Sequence, residues 1–386
     1  MNYYKLLLCL SLFLFQCGLQ KEKGYVESEE LLSDIFTFEL EFGADNLPDE
    51  FLIVNPWAPD ANDSGDVFVS DESRIKVYDK DGRAKIIIGR PGQGPGEFPD
   101  QVTEPNISPT GYLTVNENTG FSIFSPEYNF IKRAGIRHGI SMKGRYSDLS
   151  KREGWPPGMM TWGVISFDED THVYEGRVDS YNTPLIYENE DSLYIIEDYV
   201  TKLIISEGYF VSLRIKGEVL WCVPNKDKIV YLHTDHDAYH ENDVHKYRLN
   251  VFNFADYSYE HYDYEYYPVS IPDSILAKEK KSLDRYRDER TKRTILNAID
   301  DIKYHPSLKK LYTDRNLIFA VTFYQNAAGE YLTDVIDAGT GEKIKSVYFS
   351  LLPYAMRNGY AYMLGTNVDG FYVIKKYKID PAVYER

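Results

Sequence analysis

Apolar and polar residues alternate over many short stretches of this chain, a pattern that predicts β-strands. The clearest unit covers residues 65–89, where Val67 and Val69 alternate with other residues. Asp81-Gly82 lies between its second and third stretches and is typical of a two-residue hairpin. The unit therefore predicts three consecutive antiparallel strands.

Weaker copies of this unit recur with little helical pattern between them, which favours a sandwich, a barrel or a propeller. A repeated unit of three or four strands favours the propeller, whose blades are four-stranded sheets around a channel. The copies cover residues 111–132, 192–213, 228–252, 317–347 and 360–379.

We therefore expect an all-β fold, a six-bladed β-propeller over residues 35–386, with seven blades as the alternative. Two insertions lengthen the repeats, at about residues 137–160 and 273–301. The alternating strand Phe36–Phe42 is expected to pair with the last blade and close the ring, which removes two free sheet edges.

The second insertion is the one segment with a convincing helical pattern. Pro272-Asp273-Ser274 supplies an N-cap, and charged residues surround a sparse apolar stripe. A solvated helix lying across one face of the propeller and a helix that docks a partner are both compatible with this pattern. The stripe consists of Ile275, Leu276, Leu283, Tyr286, Ile295, Leu296 and Ile299.

The chain begins with a secretory signal. Lys5 precedes the apolar run Leu6–Phe15, which is too short to span a bilayer as a helix. The sequence Leu14-Phe15-Gln16-Cys17 resembles the bacterial lipobox, although a small residue is usual where Gln16 stands. We expect a signal peptide over residues 1–16, a lipid on Cys17 and a flexible tether over 17–34, with simple secretion as the alternative.

A longer resemblance comes from two other segments. Residues 89–98, Gly-Arg-Pro-Gly-Gln-Gly-Pro-Gly-Glu-Phe, resemble the loop between blades of NHL-type propellers, and Tyr304-His305-Pro306-Ser307-Leu308 resembles the entrance to a late blade. The chain is similar to bacterial six-bladed β-propeller lipoproteins. That resemblance implies a fold and an address in the cell envelope, but no activity, because propellers host many functions.

Charge and cysteine content narrow the partners. The formal net charge is −17, which opposes binding to nucleic acid and to anionic lipid headgroups. Tyr is abundant at 34 residues, and its ring and hydroxyl suit both strand packing and a sugar- or peptide-binding face. Cys9 leaves with the signal and Cys17 is acylated, so Cys222 has no disulfide partner. We expect a monomer.

The most conspicuous candidate chemistry is a loop rich in histidine. His233, His236, His240 and His245 lie among carboxylates, and such side chains bind divalent metals. The loop lies between two predicted strands and lacks the spacing of a known zinc motif. A solvated hairpin loop and a metal site are therefore both open.

Other motifs are weaker. Residues 60–65, with Asp71 at position twelve, faintly resemble a calcium loop but lack flanking helices, so a polar turn is expected. The glycine-rich segment 89–96 lacks the Gly-Lys-Ser/Thr ending of a phosphate loop. No nucleophile elbow or other catalytic constellation is present in the sequence.

These observations favour a non-catalytic binding module of the cell envelope for a glycan, peptide or protein partner. Gly18 after the cysteine favours the outer membrane by analogy with lipoprotein sorting. The alternative is an enzyme, a metal-dependent lyase or lactonase-like propeller with its site at the central channel. A third possibility is a structural subunit of an envelope complex, docked through the charged helix.

Overall fold

Six antiparallel sheets stand as blades around a central axis, so the chain is a six-bladed β-propeller as its sequence predicts. The computed structural model describes residues 31–43, 47–98, 104–117, 120–135, 141–143, 160–177, 182–200, 203–206, 209–211, 214–285 and 288–386. The predicted signal peptide, Cys17 and nearly all of the tether lie outside these residues, as does most of the insertion at 137–160.

The first three blades each contain four strands that follow one another from the axis outwards. Blade 1 is β2 to β5, blade 2 is β6 to β9, and blade 3 is β11 to β14 with the short β10 added at its outer edge. The strands are β1 (Phe36–Phe42), β2 (Asp60–Ala61), β3 (Val67–Asp71), β4 (Arg74–Tyr78), β5 (Ala84–Ile88), β6 (Pro105–Ile107), β7 (Leu113–Glu117), β8 (Gly120–Phe124), β9 (Phe130–Ala134), β10 (Ser141–Lys143), β11 (Met160–Ser166), β12 (His172–Arg177), β13 (Asn182–Glu188) and β14 (Ser192–Val200).

The second half of the chain forms the other three blades. Blade 4 is β17, β18, β20 and β21 with the hairpin strand β19, blade 5 is β22 to β25, and blade 6 is β26 to β28 completed by β1. The strands are β15 (Leu203–Ser206), β16 (Tyr209–Val211), β17 (Val219–Asn225), β18 (Lys228–His233), β19 (Ala238–Glu241), β20 (Val244–Asn253), β21 (Tyr259–Glu265), β22 (Leu308–Asp314), β23 (Leu317–Gln325), β24 (Tyr331–Asp337), β25 (Lys343–Phe349), β26 (Ala355–Arg357), β27 (Tyr360–Thr366) and β28 (Tyr372–Ile379).

The N-terminal strand closes the ring, as its alternating pattern predicts. β1 pairs antiparallel with β28, from Phe36 opposite Ile379 to Phe42 opposite Ile374. The first and last parts of the propeller therefore share one sheet, and blade 6 cannot be complete without residues from both ends of the chain.

Six clusters of the hydrophobic core lie one in each space between neighbouring blades of the described chain, and a seventh, of Leu283, Ile295 and Ile299, lies in the helical insertion. Within β3, Val67 and Val69 pack towards blade 6, while Phe68 between them packs towards blade 2. Each inner strand is therefore buried on both faces. This explains why consecutive positions in these strands are often both apolar.

The predicted helix is two helices, α1 (Asp273–Ser282) and α2 (Glu289–Asp300). The N-cap expected at residues 272–274 is wrong, because α1 has no side-chain cap, whereas Asp288 caps α2 by accepting from Thr291 N–H at 2.7 Å. Ile295 and Ile299, on the apolar stripe of α2, are buried, whereas no residue of α1 is buried. Single-turn 3₁₀ helices occur at Asp49–Phe51, Arg214–Lys216, Leu283–Arg285 and Pro381–Val383.

One predicted repeat differs from the structure. Residues 192–213 were expected to form one copy of the strand unit, but β14 is the outer strand of blade 3, and β15 and β16 form a separate two-stranded sheet. Short apolar runs predict strands without stating which sheet they join, because pairing depends on contacts far along the chain.

The two ends of the ring differ in character. We call the side on which the chain enters each innermost strand the entry side, and the opposite side the exit side. Because neighbouring strands are antiparallel, the connections between blades and the turns between second and third strands lie on the entry side. The turns that follow the innermost strands lie on the exit side.

Polar contacts join every pair of neighbouring blades on the exit side. Because each contact joins exit-side turns of two neighbouring blades, all six blades have their exit-side turns at the same end of the ring. We call this set of contacts the exit clasp. It consists of Asn62 Nδ2 to Tyr128 OH at 3.2 Å, Thr110 Oγ1 to Phe167 O at 2.7 Å, Asn189 Nδ2 to Tyr257 OH at 3.3 Å, Asn225 Nδ2 to Asn316 Oδ1 at 2.8 Å, Asn358 N to Asp314 Oδ1 at 2.6 Å and Asn358 Nδ2 to Asp63 O at 2.7 Å.

Candidate functional site

The histidine-rich loop lies on the entry side of blade 4, between β18 and β20. The structure groups its four candidate metal ligands into two ring pairs. The centroids of His233 and His236 are 4.0 Å apart, and those of His240 and His245 are 4.7 Å apart. The second pair faces across the β19–β20 hairpin, where the two residues are register partners.

His233 belongs to the interior of the blade. Its Nδ1 accepts hydrogen bonds from the backbone N–H groups of Asp235 and His236, at 3.2 and 3.1 Å, so the ring is neutral with its proton on Nε2. Burial, together with the neighbouring His236, lowers the pKa of His233 to about 3. Its Nε2 is buried and has no hydrogen-bond partner in the described chain.

His240 and His245 instead line a cavity of about 800 Å³, which we call the blade 4–5 cavity. It lies between the β19–β20 hairpin, the segment that follows α2, and the entrance to blade 5. Three features that the sequence singled out separately therefore meet here: the histidine loop, the helical insertion and the segment from Tyr304. Burial and the neighbouring His240 lower the pKa of His245.

No group of three or more His, Cys, Asp or Glu side chains among the described residues is arranged to hold a metal ion. The two acidic residues at the ends of the faint calcium pattern contact different partners. Asp60 accepts from Ile107 N–H at 2.6 Å, whereas Asp71 forms a buried ion pair with Lys76 at 2.6 Å. The metal assignment of the four histidines stays a prediction.

A second candidate site is the central channel, a space of about 210 Å³ lined by residues from all six blades. Arg357 crosses its exit end. The guanidinium donates to the carbonyl oxygens of Ala61 and Ile107, both at 3.0 Å, and so joins blades 6, 1 and 2. The channel is thus crossed on the exit side by a side chain that is itself fixed.

The pKa values of two carboxyl groups that line the channel are raised. Burial raises the pKa of Asp60, and Arg357 opposes that shift only in part. Desolvation raises the pKa of Glu104 although this residue is partly exposed; Lys310 opposes the shift and the charge of Asp60 adds to it. Perturbed carboxyl groups in a concave site are typical of acid–base chemistry, although ion-pair networks produce them too.

Exposed apolar side chains are concentrated on the entry side. Twelve large apolar residues are exposed in the described chain, and only Phe38 and Ile86, on outermost strands, lie elsewhere. We call the other ten residues the entry-side patch. It consists of Val54, Trp57, Val200, Ile275, Tyr304, Tyr324, Tyr354, Val368, Phe371 and Tyr372.

The glycine-rich segment connects the outermost strand of blade 1 to the innermost strand of blade 2, on the entry side. Glu97 fixes it by accepting from Gly94 N–H at 2.8 Å and pairing with Arg90 at 2.6 Å. Gly89 has φ +73°, and an added Cβ would lie 2.2 Å from the buried ring of Phe98. The glycine is thus required for the crossing, as the sequence indicates.

Sequence reasoning missed the channel residues Glu104 and Arg357. Neither lies in a recognisable motif, and Arg357 contacts a carbonyl 296 positions earlier in the chain. The short innermost strands β6, which follows Glu104, and β26, which contains Arg357, were not predicted either, so no signal in the sequence marked these positions. Cys222 is buried in the core of blade 4, where burial raises the pKa of its thiol.

No protein-family model and no curated sequence matches the chain. Solved structures of similar overall shape include a Bacteroides fragilis protein that is assigned, not demonstrated, to be exported, with 10% identity over 91% of this chain and 97% of that one and a TM-score of 0.46. Regucalcin, a calcium-binding protein from Agrobacterium tumefaciens, has 10% identity, coverage of 90% and 97% and a TM-score of 0.37.

A gluconolactonase from Xanthomonas campestris has 7% identity over 85% of this chain and 86% of that one, with a TM-score of 0.39. All three scores are below 0.5, so the fold assignment rests on the sheet topology of this chain. None of the described helices is long and apolar enough to cross a membrane.

Proposed function

We propose that this protein is a lipid-anchored binding module of the cell envelope, which holds a glycan, peptide or protein partner on the entry side of its propeller. The observation that carries the proposal is the one-sided distribution of exposed apolar residues. Ten of the twelve belong to the entry-side patch, whereas the turns of the exit clasp bond to neighbouring blades.

Trp and Tyr are enriched among the residues that dominate binding energy at interfaces. Trp57 is 42% exposed and Tyr354 is 54% exposed, and Tyr354 lines the channel. The partner is therefore expected to cover the entry side around the channel.

The anchor in this proposal is a lipid on Cys17, attached where the signal peptide 1–16 is removed, and the final location is the outer membrane. Several acyl chains on one cysteine give firm attachment, since each buried CH₂ contributes about 0.8 kcal/mol. The described chain begins at the rim of the propeller, where Tyr348 N–H donates to Leu32 O at 2.8 Å and Asp380 N–H to Ile35 O at 2.9 Å.

A matched pair of variants tests the binding side. Trp57→Glu with Tyr372→Glu places charge on the entry side, while Phe38→Glu with Ile86→Glu places the same charge on outermost strands. Purified mature protein is assayed against envelope glycans and membrane extracts. Only the entry-side variant is expected to lose binding. Turnover of a substrate by protein that binds no macromolecule would reject the proposal.

The second candidate is an enzyme with its site at the central channel, a lactonase-like or lyase-like propeller. The raised pKa values of Asp60 and Glu104 favour it, because a carboxyl group that keeps its proton can act as a general acid. A divalent metal in this alternative is a prediction without an assigned ligand set. Lactone hydrolysis with and without added Ca²⁺, Mg²⁺ and Zn²⁺ tests it, with Glu104→Gln as the inactive control.

A further inference from the structure

The blade 4–5 cavity is a candidate ligand site that is distinct from the central channel. Its volume of about 800 Å³ lies within the range of small-molecule pockets, about 300–1,000 Å³. It opens on the entry side, beside the entry-side patch. Resting on the proposed binding function, we propose that this cavity binds a neutral oligosaccharide.

Aromatic rings provide the first part of the argument. Tyr304 lines the cavity yet remains 46% exposed, so part of its ring is uncovered. Its centroid lies 6.0 Å from that of His245, and the ring of Tyr266 lies 5.8 Å from His245 on an edge-on approach. The C–H face of a sugar ring is apolar and flat, so it packs on such a partly uncovered ring.

The wall that carries Tyr304 is already ordered. Ile271 N–H donates to Lys303 O at 3.1 Å and His305 N–H to Val269 O at 2.8 Å, so these bonds hold the backbone on both sides of Tyr304. A binding group that is fixed before the ligand arrives loses little conformational freedom on binding. Stacking on Tyr304 is therefore preorganised.

Polar groups of the lining match hydroxyl chemistry. The lining contains the imidazoles of His240 and His245. An imidazole in its neutral form carries one donor and one acceptor, which is what a sugar hydroxyl requires. The Ser307 hydroxyl donates to Thr234 O at 2.8 Å and keeps its lone pairs as acceptors. The cavity thus offers both kinds of hydrogen bond next to the aromatic surface.

Charge argues for a neutral ligand. The lining contains two lysines, Lys216 and Lys303, and two aspartates, Asp235 and Asp301, so the formal charges cancel. The net charge of −17 on the whole chain repels anionic glycans at long range. A neutral saccharide needs no compensating charge, whereas a charged peptide or uronic-acid polymer does.

The test uses the full-length mature protein in detergent, titrated with neutral oligosaccharides of glucose, xylose, mannose and N-acetylglucosamine. Oligogalacturonate and unrelated peptides are the contrasting probes. Tyr304→Ala is compared with Phe38→Ala, since Phe38 is 52% exposed, lies on an outermost strand and does not line the cavity. Equal melting temperatures are required, so that loss of binding is not loss of folding.

We expect at least one neutral series to bind, and Tyr304→Ala to weaken that binding by about tenfold, the size of one aromatic contact, while Phe38→Ala leaves it unchanged. Tyr304→Phe is expected to retain most of the affinity. Imidazole resonances of His240 and His245 should shift on titration.

Two results would overturn the inference and leave the proposed function intact: binding of neutral sugars that Tyr304→Ala does not weaken, or binding of peptides or oligogalacturonate alone. Binding of no macromolecule together with substrate turnover at the channel would overturn both.

Discussion

At the scale of single residues, the buried side chain of His233 in blade 4 makes the unfolding free energy depend on pH. His233 is neutral in the folded chain because its Nδ1 accepts two backbone hydrogen bonds and burial lowers its pKa to about 3. In the unfolded chain the same ring titrates near the ordinary value of about 6.5. Unfolding therefore takes up a proton at any pH between these two values.

The sign follows from linkage. Stability from His233 is fully present above about pH 6.5 and is lost as the pH falls towards 3, by at most about 1.4 kcal/mol per pH unit. His233→Asn keeps an acceptor near the Nδ1 position but does not titrate. Urea unfolding at pH 7, 6, 5 and 4 should show a shallower loss of stability for the variant. Identical slopes would mean that His233 titrates alike in the folded and the unfolded chain.

The buried pair of Asp71 and Lys76 gives a second prediction at this scale. Asp71 also accepts from the backbone N–H groups of Val54 and Asn55, and so holds the segment that carries Trp57. Lys76→Met leaves a buried carboxylate without its cation, and is expected to cost about 3–5 kcal/mol of unfolding free energy.

The matched control is Arg83→Met, which breaks the exposed pair of Arg83 with Asp81. An exposed pair contributes about 0–1 kcal/mol, so this variant should unfold almost as the parent does. Chemical denaturation of both variants gives the comparison. A cost below about 1 kcal/mol for Lys76→Met would show that Asp71 is satisfied by its backbone donors alone.

At the scale of elements, the closing strand β1 provides a prediction with an internal control. Phe42 is 4% exposed and packs in the cluster between blades 6 and 1, while Phe38 on the same strand is 52% exposed. Phe42→Ala should cost about 3–5 kcal/mol of unfolding free energy, because it leaves a cavity in that cluster.

Phe38→Ala should change the unfolding free energy by no more than about 0.5 kcal/mol. The two variants are compared by urea unfolding of the same purified protein. Equal effects would indicate that β1 contributes through its backbone pairing with β28 and not through the core.

Elements were predictable from the sequence wherever their cause is local. Alternation and Asp81-Gly82 predict β3 to β5 of blade 1, and the pattern of residues 36–42 predicts the closing strand. The separate sheet of β15 and β16 was not predictable, because local pattern does not decide which sheet a strand joins. The exit clasp and the position of Arg357 depend on contacts between residues far apart in the chain, which no local pattern encodes.

The candidate sites show the same division. The histidine loop and Tyr304 stand out in the sequence, but only the fold shows that they share the blade 4–5 cavity. The channel carboxyl of Glu104 was missed, because its significance arises from its position near Asp60 in the channel and not from any motif.

At the scale of the whole molecule, the anchor gives the remaining prediction. Cys17→Ser removes the thiol that the lipid requires, so the protein should move from the membrane fraction to the soluble fraction or retain its signal peptide. Incorporation of labelled palmitate and cell fractionation measure this. Cys222→Ser is the control, since Cys222 is buried in blade 4. Equal labelling of the parent and Cys17→Ser would contradict the anchor.

Ring closure by β1 also has a mechanical consequence. The tether would enter the propeller directly through β1, so any pull between the membrane and a bound partner acts first on the strand that closes the ring. That strand is held along its length by antiparallel pairing from Phe36 to Phe42. A load along β1 must shear these hydrogen bonds together instead of opening them one at a time. With the proposed anchor on Cys17, the strand that closes the ring would therefore also bear the tension.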